Sequence, residues 1–240
     1  MNRLVVVSNR VPVPQAGAAP GGLAVALGGL MERRGGLWFG WSGAVSDQAD
    51  RVAIAGDGDV QYATIDLTRS EHDRYYNGFS NSVLWPLLHS MPELMRFDRR
   101  DAQVYRQVNQ RLVSVLAPRL RPTDVIWLHD YHLMVMPALL RAQGVLAPIG
   151  FFLHVPFPSA DVFGAMPEAG PLLRDLLAAD LLGFHTDNDV ENFALAAQRL
   201  AGATRISGQW LGLAGRRIRS GTFPVEIDAR EFKQMAEHSV

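Results

Sequence analysis

Residues 125–159 have the sequence VIWLHDYHLMVMPALLRAQGVLAPIGFFLHVPFPS, which predicts a strand, a helix and a second strand. The two apolar runs at 125–128 and 149–153 are typical of strands buried on both faces of a parallel sheet. Between them, residues 133–141 are apolar enough for a packed helix. Each strand ends in a polar cluster that contains histidine. Because open parallel α/β sheets bind ligands outside the carboxyl ends of their strands, this stretch predicts a site.

The composition is that of a globular protein with a full core. The chain has 240 residues, of which 48% are hydrophobic and 20% charged. Its net charge of -1 gives no general attraction to nucleic acid or to membranes. The absence of cysteine excludes disulfides, thiolate metal sites and a cysteine nucleophile. No apolar run is long enough to span a bilayer and the first residues lead into a strand, so we expect a soluble, cytoplasmic protein.

The rest of the chain alternates strand patterns with helix patterns. Strands are predicted at 4–7, 37–42, 60–67 and 181–184, and helices at 23–34, 101–116, 171–179, 187–200 and 228–238. Such alternation predicts an α/β fold with a doubly wound, mostly parallel, Rossmann-like sheet.

Local composition adds finer expectations. Gly43 is expected to end the second strand, residues 44–59 to form a surface excursion, and residues 60–67 to lie at the sheet edge. Residues 203–225 are expected to be rich in strand, with 216–219 in an exposed one. Residues 70–89 are dense in aromatic and amide groups, which is typical of a core and also of a pocket wall. The side chains expected on the solvent side of helix 101–116 are Arg106, Gln110 and Arg111.

Three interpretations of the polar strand ends are open from the residues alone. His129, His132 and His154 supply three imidazoles, as in an open zinc-type site. Alternatively, His154 and Asp130 are hydrogen-bonding groups for a sugar or a phosphate. In the third interpretation some of these histidines are core residues that bond to the backbone. The metal interpretation is disfavoured, because His129 and His132 would both have to turn inward from a strand-to-helix junction.

Other catalytic classes lack their motifs. The chain has no Gly-x-Ser-x-Gly nucleophile elbow and no Gly-x-Gly-x-x-Gly dinucleotide fingerprint. The remaining candidate for a ligand-binding residue is Arg10, which follows the first predicted strand and precedes a loop with Gly21 and Gly22. A guanidinium there, with Tyr76 nearby, suits a phosphate monoester, whereas the competing interpretation is a surface ion pair.

Six sequence blocks resemble the trehalose-6-phosphate synthases, in the same order as in that family. They are SNR at 8–10, GGL at 21–23, LWFGWSG at 37–43, YYNGFSN at 75–81 with LWP at 84–86, WLHDYHL at 127–133, and GFFLHVPFP at 150–158. The resemblance extends in register from residue 3 to about residue 200, and more faintly to Asp228. Six ordered blocks are far more specific than any one of them.

The resemblance implies a retaining glycosyltransferase of the GT-B type, which has two Rossmann-like domains. Such enzymes transfer glucose from UDP-glucose to glucose 6-phosphate, giving α,α-trehalose 6-phosphate, and need no metal, no cofactor and no enzyme nucleophile. Residues 1–225 would then be the N-terminal acceptor-binding domain. Residues 226–240 would start the crossover to a C-terminal domain that binds the nucleotide sugar.

The resemblance also assigns residues to the acceptor. Arg10 and Tyr76 would hold the phosphate of glucose 6-phosphate, and Asp130 would bind its hydroxyls. Trp85 and Val155 would shape the acceptor pocket and select the anomer.

On the donor side, the resemblance assigns Gly21 and Gly22 to the diphosphate of UDP-glucose through their backbone N–H groups. His154 would lie beside the transferred glucose. Asp130 and His154 are therefore the residues expected to act in catalysis. The histidines left with structural roles are His129 and His132.

Family members continue into a second domain that carries the cations for the UDP phosphates. We therefore expect this chain alone to be the acceptor-side half, with little or no synthase activity. The alternative is a non-catalytic sugar-phosphate-binding or regulatory domain derived from such an enzyme. The expected partners are glucose 6-phosphate and UDP-glucose, without nucleic acid or membrane. A homo-oligomer or pairing with a missing C-terminal domain are further expectations.

Overall fold

The computed structural model describes residues 2–13, 22–49, 51–56 and 58–224. Within these ranges the strands are β1 Leu4–Arg10, β2 Gly36–Val45, β3 Val52–Ala55, β4 Val60–Leu67, β5 Val125–His129, β6 Ile149–Phe152, β7 Leu181–Phe184, β8 Thr204–Ser207, β9 Trp210–Leu213 and β10 Arg216–Thr222. The α-helices are α1 Gly22–Arg34, α2 Arg69–Glu71, α3 Trp85–Leu88, α4 Arg99–Leu116, α5 Met136–Ala142, α6 Ala160–Phe163, α7 Ala169–Leu176 and α8 Asp187–Ala201. A π-helix, His72–Leu84, joins α2 to α3, and 3₁₀ turns occupy Pro92–Leu94, Ala117–Arg119 and Tyr131–Leu133.

The strands form one mixed sheet in the order β3-β4-β2-β1-β5-β6-β7-β10-β9-β8. From β4 to β10 in this order all neighbours are parallel, while β3 at one edge and β9 and β8 at the other are antiparallel. The predicted doubly wound, mostly parallel α/β sheet is confirmed. The helix predicted at 228–238 and the crossover at 226–240 lie outside the described residues.

The register brings the predicted site residues to one edge of the sheet. Ser8 of β1 lies opposite His129 of β5, and His129 lies opposite Phe152 of β6. Because these strands are parallel, their carboxyl ends meet, and so Arg10, Asp130 and the residues after Phe152 share that edge.

Side chains of β1 enter both layers of core, as a continuous β-branched run predicts. Val5 and Val7 belong to the main core, which the sheet forms with α4, α5, α7, α8 and the π-helix. Leu4 and Val6 belong to a smaller core with Leu27 of α1. α1 therefore covers the second face of the sheet over β1 and β2, beside the strands that carry the histidines.

Three local predictions about the strands are wrong. The excursion at 44–59 contains β3, which pairs with β4, so β4 is not the edge. β2 continues through Gly43 to Val45 because a register irregularity after Trp41 accommodates the glycine. β10 lies inside the sheet, between β7 and β9, and its Ile218 is fully buried.

The predicted helices that fall within the described residues are found with shifted ends. The long amphipathic helix is α4, and Arg106 and Gln110 are exposed as predicted. Arg111 is different, because its guanidinium is partly buried and bonded to Glu71 at 2.9 and 2.8 Å. The helix predicted at 133–141 begins later, in α5, after a 3₁₀ turn. No helix in the described ranges is long and apolar enough to cross a membrane.

Candidate functional site

The guanidinium of Arg10 lies against bare backbone at the end of β1. Gly43 has a φ of 92°, and a Cβ added there would be 2.7 Å from Arg10 Nε and 3.1 Å from its Cζ. Glycine is thus required both for the left-handed backbone and for the room that Arg10 occupies. The sequence predicted that Arg10 lies at the end of the first strand, as observed. It predicted for Gly43 only that it ends a strand.

An aromatic wall stands beside Arg10. The ring of Tyr76, in the π-helix, lies 5.5 Å from the ring of Trp41 and 5.7 Å from that of His132. Trp41 is the register partner of Arg10 on β2. The neighbouring Tyr75 is fully buried, and its hydroxyl donates to Asn9 Oδ1 at 2.8 Å. The core part of the prediction for residues 70–89 is confirmed by Tyr75, whereas Tyr76 is only half-buried and its role as a pocket wall stays a prediction.

Trp85 and Val155 differ in exposure. Trp85 is 41% exposed, and its ring lies 4.3 Å from the ring of His89. His89 Nδ1–H donates to the carbonyl oxygen of Trp85 at 2.7 Å, which holds the two rings together. Val155 is half-buried and packs against the main core. A large exposed indole near the strand ends is the kind of surface that sugars stack on.

Asp130 follows β5 with a backbone that is unusual for a residue with a side chain. Its φ is 76° and its ψ 168°, a region that is essentially reserved for glycine. Its N–H donates to the carbonyl of Phe152 at 2.8 Å, and its Oδ1 accepts from the N–H of His154 at 3.1 Å. Burial raises the pKa of Asp130 to about 6, against the lowering effect of the N–H groups of His154 and Tyr131. The carboxylate is therefore held at the edge, and is largely ionised at pH 7.

His129 and His154 are directly bonded. His129 Nδ1 lies 2.9 Å from His154 Nε2, and His129 is wholly buried against the indole of Trp127. Burial, and then the neighbouring His154 ring, lowers the pKa of His129 to about 3. Burial, and then the His185 ring, lowers the pKa of His154 to about 4. Both rings are neutral at pH 7, so a single ring proton lies between them.

His132 belongs to a different environment. Its ring stacks on Tyr131 at 4.1 Å and on Tyr76 at 5.7 Å, and burial lowers its pKa to about 3. The imidazoles considered as metal ligands therefore do not converge. In the part of the chain that the structure describes, no three His, Cys, Asp or Glu residues are grouped as metal ligands.

A cavity of about 510 Å³ opens on the α1 face of β5, β6 and β7. Its lining includes His129 and His154, at the carboxyl ends of β5 and β6, and Leu27 of α1. Gly150 and Gly183 lie in its lining. A Cβ at Gly183 would be 2.6 Å from the ring of Phe152, which is too close for that ring to keep its position. Of the two glycines predicted for the donor, Gly22 begins α1, whereas Gly21 lies outside the described residues.

The sequence and the overall fold match a known group of proteins. Residues 3–240 fit the sequence profile of glycosyltransferase family 20. The chain belongs to glycosyltransferase family 20. The family resemblance stated from six sequence blocks is confirmed.

Curated relatives of this family 20 chain are trehalose-6-phosphate synthases. The one from Sinorhizobium fredii is 43% identical over an alignment of 242 positions, which covers 99% of this chain and 52% of the relative. The family 20 chain thus spans about half the length of the curated relatives it matches.

Solved structures agree with this family 20 chain in fold. An α,α-trehalose-phosphate synthase (UDP-forming) from Burkholderia xenovorans, in complex with glucose-6-phosphate, has a TM-score of 0.92 at 40% identity and covers 99% of this chain and 53% of its own. The Escherichia coli protein bound with UDP-2-fluoro glucose has a TM-score of 0.91 at 40% identity, with 98% and 51% covered. The predicted fold class, that of a GT-B N-terminal domain, is confirmed.

Proposed function

We propose that this chain is the acceptor-side part of a retaining, UDP-forming α,α-trehalose-phosphate synthase. The reaction transfers glucose from UDP-glucose to glucose 6-phosphate. Residues 1–225 form the acceptor-binding domain, and residues 226–240 begin the crossover to the domain that binds the nucleotide sugar. The observation that carries the proposal is the Arg10 guanidinium, seated on Gly43 at the same strand ends as Asp130.

The phosphate of the acceptor binds at Arg10. A guanidinium presents paired N–H donors to a phosphate, and such charge-assisted bonds are stronger than neutral ones. Trp41, opposite Arg10 in the sheet, lies 5.5 Å from the ring of Tyr76, so the phenol is at the same corner. Tyr76 completes the phosphate site as a neutral donor.

The sugar ring of the acceptor lies between Asp130 and the exposed indole of Trp85. An ionised carboxylate accepts hydrogen bonds from sugar hydroxyls, and the fixed backbone of Asp130 gives those bonds one direction. Trp85 and Val155 shape the pocket and select the anomer.

The donor glucose lies beside His154, where the cavity next to α1 meets the carboxyl ends of the strands. Gly21 and Gly22 place backbone N–H groups and the start of α1 near the diphosphate. Donors fixed before the reaction stabilise the charge that develops on the departing UDP oxygen. Holding the acceptor in place favours attack from the face that UDP leaves. The reaction uses no metal, cofactor or enzyme nucleophile.

The chain spans about half the length of its relatives, so the remaining donor contacts belong to sequence outside it. We expect the purified 240-residue chain to bind glucose 6-phosphate and to turn over little or no UDP-glucose. We also propose a cytoplasmic location, where phosphorylated sugars and nucleotide sugars are available, and association either with a C-terminal domain or with a second copy.

Calorimetry with glucose 6-phosphate tests the acceptor site. Arg10→Ala is expected to weaken binding about 10- to 100-fold, since a hydrogen bond to a charged group contributes about 1.5–3 kcal/mol. Arg100→Ala, an exposed arginine at the start of α4, is the matched control and should leave binding unchanged. Equal binding by wild type and Arg10→Ala would contradict the assignment. Robust synthase turnover by the 240-residue chain would contradict its description as one half of the active site.

A further inference from the structure

The bond between His129 and His154 leaves two arrangements of protons. In one, His129 Nδ1–H donates to His154 Nε2; in the other, His154 Nε2–H donates to His129 Nδ1. Both rings are neutral, so each carries one proton. The choice for one ring therefore fixes the other: both are Nδ1–H tautomers or both are Nε2–H tautomers.

The surroundings of His129 Nε2 distinguish the Nδ1–H arrangement from the Nε2–H arrangement. His129 Nε2 is fully buried and has no hydrogen-bond partner among the described residues. In the Nε2–H arrangement a buried N–H donor would be left without an acceptor, which is rare in native proteins. In the Nδ1–H arrangement the unpaired atom carries only a lone pair, on a ring that is buried beside the indole of Trp127.

We propose that His129 is a positioning residue whose Nδ1–H donates to His154 Nε2 and so fixes the proton of His154 on Nδ1. The backbone N–H of His154 is already bonded to Asp130, so both the chain and the ring of His154 are held. The structural role expected for His129 from the sequence is therefore to fix the tautomer of His154.

The consequence for ligand binding rests on the proposed function. With Nε2 occupied, the free nitrogen of His154 is a neutral N–H donor. It recognises an oxygen acceptor, such as a hydroxyl oxygen of the transferred glucose. It supplies no positive charge to the diphosphate, which must obtain its cations elsewhere.

Nitrogen-15 NMR of the chain labelled at histidine tests the proposal directly. At pH 7.5, two-bond proton–nitrogen correlations distinguish Nδ1–H, Nε2–H and protonated imidazole. We expect both His129 and His154 to show the Nδ1–H pattern. An Nε2–H pattern at either ring, or a protonated His154, would overturn the proposal without any variant being made.

Variants of His129 distinguish a role in positioning His154 from a role in packing alone. His129→Phe keeps the ring volume and removes the donor, so His154 should change to a mixture of tautomers. His129→Asn places an amide N–H near the position of Nδ1 and should restore the single Nδ1–H pattern. His132→Phe is the matched control, because it replaces a buried histidine that does not bond to His154. An unchanged His154 pattern in His129→Phe would contradict the positioning role.

Ligand titration tests the proposed function separately. Addition of UDP-glucose should shift the His154 ring signals, whereas addition of UDP alone should not. If calorimetry shows that UDP-glucose binds, both rings are Nδ1–H tautomers and His154 is unchanged by the ligand, the positioning role stands and the donor assignment of His154 is wrong.

Discussion

The backbone of Asp130 lies at φ 76° and ψ 168°, where residues with side chains are rarely found. Such a conformation costs on the order of 1–3 kcal/mol and persists only where the surroundings enforce it. Here they do, because the N–H of Asp130 is bonded to Phe152 and its carboxylate to the N–H of His154. Asp130 therefore combines a strand-end position, a strained backbone and a carboxylate that is held by a hydrogen bond.

Gly43→Ala is expected to weaken glucose 6-phosphate binding about tenfold. The added methyl would be 2.7 Å from Arg10 Nε, so the guanidinium must move and lose a charge-assisted contact to the phosphate. Calorimetry measures the loss. The variant should also lose about 1–2 kcal/mol of stability, because alanine is strained in left-handed backbone.

Gly144→Ala is the matched control for this substitution. Gly144 also has a positive φ, of 78°, but a Cβ there would meet nothing within 4 Å. It should be destabilised to a similar degree and bind glucose 6-phosphate normally. Equal affinities for the Gly43 and Gly144 variants would show that Gly43 does not position Arg10.

At the scale of elements, Arg111 ties α4 to the start of the π-helix. Its guanidinium bonds both carboxylate oxygens of Glu71, the carbonyl of Asp66 at 3.0 Å and that of Ala49 at 2.9 Å. Glu71 in turn closes a capping box with Thr68. Arg111 thus helps to hold α4 against the helical wall that carries Tyr76, together with the Arg74–Asp101 ion pair at 2.8 Å.

Arg111→Lys is expected to lower the free energy of unfolding by about 2 kcal/mol, because an ammonium cannot reproduce the planar fork and leaves partly buried acceptors unpaired. Urea unfolding measures this. Arg106→Lys, on the same helix, replaces a half-exposed arginine paired with Asp175 alone and should cost less than about 0.5 kcal/mol. Equal effects of the two substitutions would contradict the role given to Arg111.

Several elements were predictable because their signal is local. The strands at 125–129 and 181–184 are continuous apolar runs, and α8 begins at a Thr186 capping box. β3 was not predictable, since two of its four residues are exposed and only pairing with β4 defines it. The π-helix was missed for a similar reason: its aromatic pattern is visible in the sequence, but its wider hydrogen bonding is not.

The positions of the candidate residues at strand ends were predictable, but their mutual arrangement was not. The sequence places His129 and His154 at the ends of neighbouring strands, and His132 close by. Which two bond depends on the register of β5 against β6 and on the aromatic stack around His132. The strain at Asp130 and the contact of Gly43 with Arg10 likewise arise between segments distant in sequence.

For the whole molecule, we expect the free energy of unfolding to fall steeply as pH falls from about 6.5 toward 4. The folded-state pKa values of His129, His132 and His154 are about 3, 3 and 4, below the ordinary 6.5. Below pH 6.5 the unfolded chain binds protons that these folded rings exclude. Stability from these histidines is therefore present above pH 6.5 and lost as pH falls.

Asp130 acts in the opposite direction. Its folded pKa of about 6 exceeds the ordinary 3.8, so between these values the folded state binds the extra proton and is favoured as pH falls. The net uptake on unfolding near pH 5 is about two protons. Urea unfolding at pH 7, 6 and 5 gives the slope of the free energy of unfolding against pH, which measures this proton uptake. His132→Phe should lower the uptake by about one proton. A slope unchanged in that variant would contradict the buried neutral state of His132.

The position of β10 has a consequence for synthesis on the ribosome. β10 pairs with β7 on one side and β9 on the other, and β8 reaches the sheet only through β9. Until residues 216–222 leave the exit tunnel, a nascent chain holds β7 as an unpaired edge, with free backbone groups open to other chains. Translation speed over β10, and chaperone capture just before it, would then affect how much of the newly made protein reaches the native sheet.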